Sequence, residues 1–211
     1  MNEPGKMNIM GESSLAGGTY SQVRVMGSLS LSGKLESREL KVMGTLDSED
    51  DILCNVMEVM GTAKLRKLEV KDNLSVMGTV TARDVAAERV SVLGELMAEG
   101  SIECASLEVN GAVTAGNFLG ADSFHIKSRY SSKVKDAGGK EIRVRGRLFG
   151  RKTVLSAETI EFDTVDIEKT EARVVRGKNV IIGTDCSIDL VEYSDTLEQH
   201  PRARIGKAVK I

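Results

Sequence analysis

Few residues in this chain have the type and spacing that chemistry requires. Only two histidines are present, His125 and His200. A histidine base for acyl transfer could come from these alone. His125 sits in Phe124-His125-Ile126-Lys127-Ser128 on an outward position, and His200 stands beside Pro201 in the final segment. Cys54, Cys104 and Cys186 are isolated, and no Cys or His pair has metal-ligand spacing. The densest acidic run, Asp-Ser-Glu-Asp-Asp at 47–51, has the carboxylates for glycoside hydrolysis or calcium binding. It lacks the glycine-aspartate repeat of calcium-binding solenoids and reads as a solvated corner. "GAVTAGNF" at 111–118 ends in Asn-Phe where a phosphate loop needs Lys-Ser/Thr. No catalytic, cofactor or metal residues are assigned.

One basic cluster stands out: Arg143, Arg145, Arg147, Arg151 and Lys152. Arg143 and Arg145 alternate with Ile142 and Val144 and so share an outward face. The functional reading is contact with a polyanion, an acidic partner or a membrane surface. The bland reading is a charged face that keeps the protein soluble.

The elements that must position these residues are set by a repeat. Val-Met-Gly occurs at 25–27, 42–44, 59–61 and 76–78, and the corner glycine recurs as Gly11, Gly27, Gly44, Gly61, Gly78, Gly94 and Gly111. Two residues earlier stands Ile9 or a valine (25, 42, 59, 76, 92, 109). Four residues earlier stand Val23, Leu40, Met57, Leu74, Val90 and Leu107, with polar residues between. That period of two is a strand with one buried face. Two residues after the glycine, Leu29, Leu46, Ala63, Val80, Leu96 and Val113 are again apolar. A second corner is expected six residues after the glycine, at Gly33, Asp50, Lys67, Asp84, Gly100 and Asn117.

About 17 residues per unit, cut into short strands by corners, suits one coil of a three-faced parallel β-helix. Leucine-rich repeats are longer and carry an Asn/Cys ladder, while helical repeats and propeller blades need thirty to forty residues. Coils of 16 and 17 do not fit a left-handed hexapeptide helix. Cys54 and Cys104 both follow their corner glycine by ten residues, which places them in one column three coils apart and too distant for a disulfide.

The residue before each glycine is Met10, Met26, Met43, Met60 and Met77, then Leu93 and Asn110. Strict alternation turns Met26, Met43, Met60 and Met77 outward as an apolar ladder, a candidate partner surface. Alternatively, the flexible methionines bend inward to fill the corner. The β-helix is expected over residues 7–193, in roughly ten coils, after a short polar tail at 1–6. "SSKVKDAGGKE" reads as a loop or hairpin insertion near 129–141. Residues 194–211 read as an irregular tail and a candidate cap.

Composition sets the outer bounds. The net charge of −2 gives no global attraction to nucleic acid or anionic lipid. With 3% aromatic residues and no tryptophan, the core must be aliphatic. The three sparse cysteines and the lack of a secretory or membrane-spanning apolar run place the chain in the cytoplasm.

The 17-residue strand repeats, "GGTY" at 17–20, "SKVKDAGGKEIRV" at 132–144 and the closing "TEARVVRGKNVIIGTDCSIDLVEY" at 170–193 together resemble the bactofilins. These are bacterial polymer-forming cytoskeletal proteins, and the likeness is to their longer Gram-positive branch. The resemblance implies a right-handed three-faced β-helix that polymerises end to end into non-polar filaments without nucleotide or other cofactor. It further implies a scaffold that localises partner proteins in cell shape, envelope or motility functions. Residues 1–6 are too short and polar to match the membrane-targeting stretch of some members, so direct membrane binding is not expected.

A β-helix also has two open ends with unpaired backbone groups. "NIMG" at 8–11 starts a coil almost at once, which makes Ile9, Met10 and Leu15 the candidate self-assembly residues. The expected partner is another copy of the chain, or a paralogue. The competing readings are a β-helix enzyme of acyltransferase or polysaccharide-modifying type and a non-polymerising adaptor.

Overall fold

A computed structural model describes residues 4–146 and 153–211. Among them there is no helix; seventeen strands follow one another. They are β1 (Lys6–Ile9), β2 (Glu12–Leu15), β3 (Gly18–Val25), β4 (Ser28–Leu31), β5 (Leu35–Val42) and β6 (Thr45–Ser48). Next come β7 (Ile52–Val59), β8 (Thr62–Val76), β9 (Thr79–Val92), β10 (Glu95–Ala98), β11 (Ile102–Val109) and β12 (Ala112–Ser128). The last five are β13 (Ser132–Gly146), β14 (Leu155–Ile167), β15 (Thr170–Ile182), β16 (Ser187–Gln199) and β17 (Arg204–Lys210).

Every pairing is parallel, and each coil pairs with the next along three ladders, as in Val25 on Val42, Leu29 on Leu46 and Leu35 on Ile52. The chain is therefore a β-solenoid of about 17 residues per turn, as the repeat predicts. One column runs its whole length: Ile9, Val25, Val42, Val59, Val76, Val92, Val109, Ile126, Val144, Ile167, Ile182 and Gln199. Those twelve rungs, ~4.8 Å apart, make a rod of about 53 Å. The inward columns form one continuous core of aliphatic side chains, with Phe124 and Phe162 as its large aromatic members, ring centroids 6.5 Å apart.

The corner glycines serve close approach rather than unusual dihedrals. The left-handed region of backbone space holds only Gly17, Gly18 and Gly139 among the described glycines. At Gly44 an added Cβ would lie 1.9 Å from the Gly27 carbonyl oxygen, and at Gly61 it would lie 2.0 Å from that of Gly44. The coils press together here because the amide after each glycine donates to the glycine carbonyl of the preceding coil, as Thr45 does to Gly27 and Thr62 to Gly44, both at 2.9 Å. At the eighth coil Ser128 holds the glycine position. Its buried hydroxyl donates to the Gly111 carbonyl at 2.6 Å and accepts from the Tyr130 amide at 2.9 Å, keeping the corner closed.

The structure corrects three expectations. The segment near 129–141 is not an inserted hairpin: only 129–131 leaves the ladder, and β13 pairs in parallel with β14 and, with one register shift between Ala115 and Phe118, with β12. Its buried residues are Ser132, Val134, Ala137, Ile142 and Val144, and Gly139 sits where neighbouring coils leave no room for a side chain. A Cβ on Gly139 would lie 2.9 Å from the Phe162 ring. The extra residues enter one coil later, between β13 and β14, where the Val144-to-Ile167 step includes residues 147–152. The tail at 194–211 is not irregular either. Thr196–Gln199 stacks on Asn179–Ile182, and β17 stacks on β16 with Ile205 on Ile188. The solenoid thus runs from Lys6 to Lys210, about one coil beyond the expected end at 193.

Two stability outcomes follow from this packing. Gly61→Ala must displace backbone and is expected to cost about 1–3 kcal/mol in urea unfolding, more than Met60→Ser at the same corner. Ser37 is buried and its hydroxyl finds no partner among the described residues, while its column holds cysteine at position 54. Ser37→Cys is expected to raise stability by about 1 kcal/mol; an unfolding midpoint below wild type would contradict that reading.

Candidate functional site

The ends of the rod follow directly from the ladder. Among the described residues β1 pairs with β3 alone, β2 with β4 alone and β17 with β16 alone. Each terminal coil therefore presents an edge of unpaired N–H and C=O groups. Ile9 is 8% exposed beneath Val25, Met7 and Leu15 are half-buried, and Met10 is 78% exposed. The opposite end shows Leu197, Ile205 and Ala203. Ile9 and Leu15 thus share an apolar edge, while Met10 lies outside it at the start of the corner ladder. The tail expected as a cap is itself the last described coil, stacked on β16 instead of folded over it.

Along one corner, Met26, Met43, Met60 and Met77 are 37–42% exposed, and Leu93 is 55% exposed. Each side chain points outward from a backbone whose amide donates to the carbonyl of Ile9 or a valine in the preceding coil, as Met26 does to Ile9 and Met43 to Val25, both at 2.8 Å. The methionines therefore form an exposed rib. Filling the corner from inside is not their role, because the inward column already belongs to the valines.

The basic cluster sits among carboxylates. Arg143 pairs with Glu141 at 3.2 Å and reaches Asp166 at 3.8 Å, while Arg145 pairs with Asp166 and reaches Glu168 at 3.7 Å. The Asp166 carboxylate beside Arg145 holds its guanidinium above the usual range, although burial opposes this. The alternating face and its Glu141 read from one strand, but Asp166 and Glu168 come from the next coil, a 23-residue step whose register the sequence hides. Arg147, Arg151 and Lys152 lie outside the described residues.

His125 has neighbours of the hydrolase type without the relay. Its Nε2 lies 3.4 Å from Ser123 Oγ and 3.5 Å from Glu141 Oε1. A nucleophile–base–carboxylate relay needs the acid on Nδ1 and the hydroxyl on Nε2. Here one nitrogen meets both, which makes the trio a polar surface contact. Among the described residues no group of three or more His, Cys, Asp or Glu side chains could hold a metal ion.

A groove of 970 Å³ lies over Gly120, Gly138 and Gly177, with Phe118 and several carboxylates around it. Phe118 covers the space the glycines leave: a Cβ on Gly120 would be 2.9 Å from its ring, and one on Gly138 would be 3.5 Å away. The surrounding charges pair across coils, Lys140 with Asp122 at 2.9 Å, Lys178 with Asp163 at 3.0 Å and Arg176 with Glu161 at 3.5 Å.

Cys54 and Cys104 do share a column, linked through Val70 and Ala87, and all three cysteines are free thiols. Burial pushes the Cys54 and Cys104 thiols up to about 12 and that of Cys186 to about 11. No helix of the described residues is long and apolar enough to cross a membrane.

The chain is similar to two proteins of Bacillus subtilis (strain 168), both uncharacterized. It is 46% identical to YhbF over 83 residues, which cover 38% of this chain and 35% of YhbF. It is 37% identical to YhbE over 101 residues, covering 44% of this chain and 43% of YhbE. The matches therefore span less than half of either relative. No family model matches the chain, and no solved structure does.

Two measurements check this description. At pH 8 the three thiols are expected to react with a maleimide far more slowly in the native protein than in guanidinium, since the thiolate is the nucleophile. Equal rates would contradict the burial. Arg145→Ala is expected to lower stability by about 1 kcal/mol by leaving half-buried Asp166 with weaker pairing, whereas Arg24→Ala should leave the unfolding midpoint unchanged.

Proposed function

We propose that this chain is a non-enzymatic scaffold of bactofilin type that assembles end to end through its terminal coils, without nucleotide, and organises partner proteins in cell shape, envelope or motility functions. One observation carries the reading: both ends of the solenoid present an unpaired parallel edge around an apolar section, and the last described coil lies in the stack instead of folding over it. A second copy can continue the ladder at either end, pairing backbone groups that water otherwise satisfies and burying Ile9, Leu15, Leu197 and Ile205. The groove over Gly120 and Gly138 fits a scaffold, because a packed ring floors it and the charges around it pair across coils.

Negative-stain imaging of the purified protein tests the proposal. Wild type is expected to form filaments in the absence of nucleotide, and Ile9→Lys or Ile205→Lys to abolish them while circular dichroism remains that of an all-β protein. A wild type that stays monomeric at high concentration would overturn the reading.

A further inference from the structure

The methionine rib has a geometry that selects its partner. Met10, Met26, Met43, Met60, Met77 and Leu93 stand one per coil, each 37% or more exposed. Their rise is the coil spacing of ~4.8 Å. An α-helix laid along them offers side chains at a pitch of ~5.4 Å, so it drifts by about 0.6 Å per rung and about 3 Å by the sixth. Another rib of the same rise stays in step throughout.

The flanking columns set direction and register. On one side stand Arg24, Lys41, Glu58 and Ser75, with Asn8 and Ser91 beyond; Lys41 and Glu58 pair within the chain at 2.7 Å. On the other side stand Ser28, Thr45, Thr62 and Thr79, with Glu12 and Glu95 at the extremities. If two copies meet rib to rib in parallel, the charged column of each faces the neutral column of the other. In the antiparallel arrangement each column faces itself reversed.

Centring that reversal between Met43 and Met60 overlaps all six rungs and sets Lys41 against Glu58 of the second copy, twice. Arg24 then faces Ser75. A shift of one rung toward the N-terminus opposes Lys41 to Lys41, and one rung the other way opposes Glu58 to Glu58. The chosen register opposes Glu12 to Glu95 only at the two solvent-exposed extremities, where salt screens them.

We propose that the methionine rib is a lateral docking surface for a second copy of this chain, antiparallel and centred between Met43 and Met60. Two rods joined in this way carry a ring of four alternating charges, Lys41 and Glu58 from each copy, beside a dry apolar seam. The seam and its four charges carry the contact between single rods, so it forms with the ends blocked; rods stacked end to end would only repeat it.

The test is cross-linking of paired variants with a short bismaleimide. Met26→Cys and Met77→Cys are made separately, each with Cys104→Ala and with both Ile9→Lys and Ile205→Lys to block the two ends. The register places position 26 against position 77 of the second copy, whereas 26 and 26 lie three rungs apart, on the order of 14 Å. The expected result is a cross-linked dimer in the mixture and its loss with either variant alone. No dimer in the mixture, or an equal dimer from Met26→Cys alone, overturns the proposal. Because the ends are blocked, the cross-link reads the side of the rod only. Its failure leaves wild-type filaments untouched, and a wild type without filaments leaves the cross-link result intact.

Discussion

The structure depends on how closely one coil can lie on the next. Between Gly27, Gly44, Gly61 and Gly78 the backbone of each coil sits where a Cβ would strike the carbonyl beneath it. That approach lets the following amide reach the glycine carbonyl, and it holds the corner in the same place from coil to coil. With the corner fixed, the valine two residues earlier must face inward and the methionine between them must face out. The core, the rib and the open ends are all consequences of this one contact. Where Ser128 replaces the glycine, a buried hydroxyl supplies the missing closure, so the constraint is met by other means.

Stacking also explains why chemistry is sparse on this surface. Outward columns bring residues 15 to 23 positions apart into contact, and most of the acidic and basic side chains described above are used there. Arg145 and Asp166, Lys41 and Glu58, and Lys140 and Asp122 are pairs of this kind. Such half-exposed pairs each contribute little, about 0–1 kcal/mol. Their larger effect is to tie neighbouring coils together along the side, while the two terminal coils keep an unpaired edge and the rib stays apolar and exposed.

Much of the fold is legible in the sequence where the coil length is constant. From Gly11 to Gly111 the alternation, the first corner and the shared column of Cys54 and Cys104 all follow from spacing. Legibility falls where volume is supplied by another coil. Gly138 and Gly139 look like loop residues, but the Ala121 carbonyl and the Phe162 ring, from the two neighbouring coils, leave no room for a side chain at 139. It falls again where one coil carries extra residues, since the step from Val144 to Ile167 breaks the count that would have carried the repeat forward. The spacing of Ile188 and Ile205 does signal the last coil, but Pro201 and the charged residues around it make that segment look like a tail. The rib shows the same limit: sequence places the methionines at a corner, while their direction depends on the valine column being full.

The central claim is that the ends of this solenoid continue one another's ladder. Fibre diffraction from oriented assemblies of the wild-type protein measures that most directly, because the spacing between coils then runs unbroken along the assembly. The account predicts a reflection near ~4.8 Å on the fibre axis, with strands perpendicular to it. A 4.8 Å reflection lying across the axis, or protein that never leaves the monomer, would contradict it.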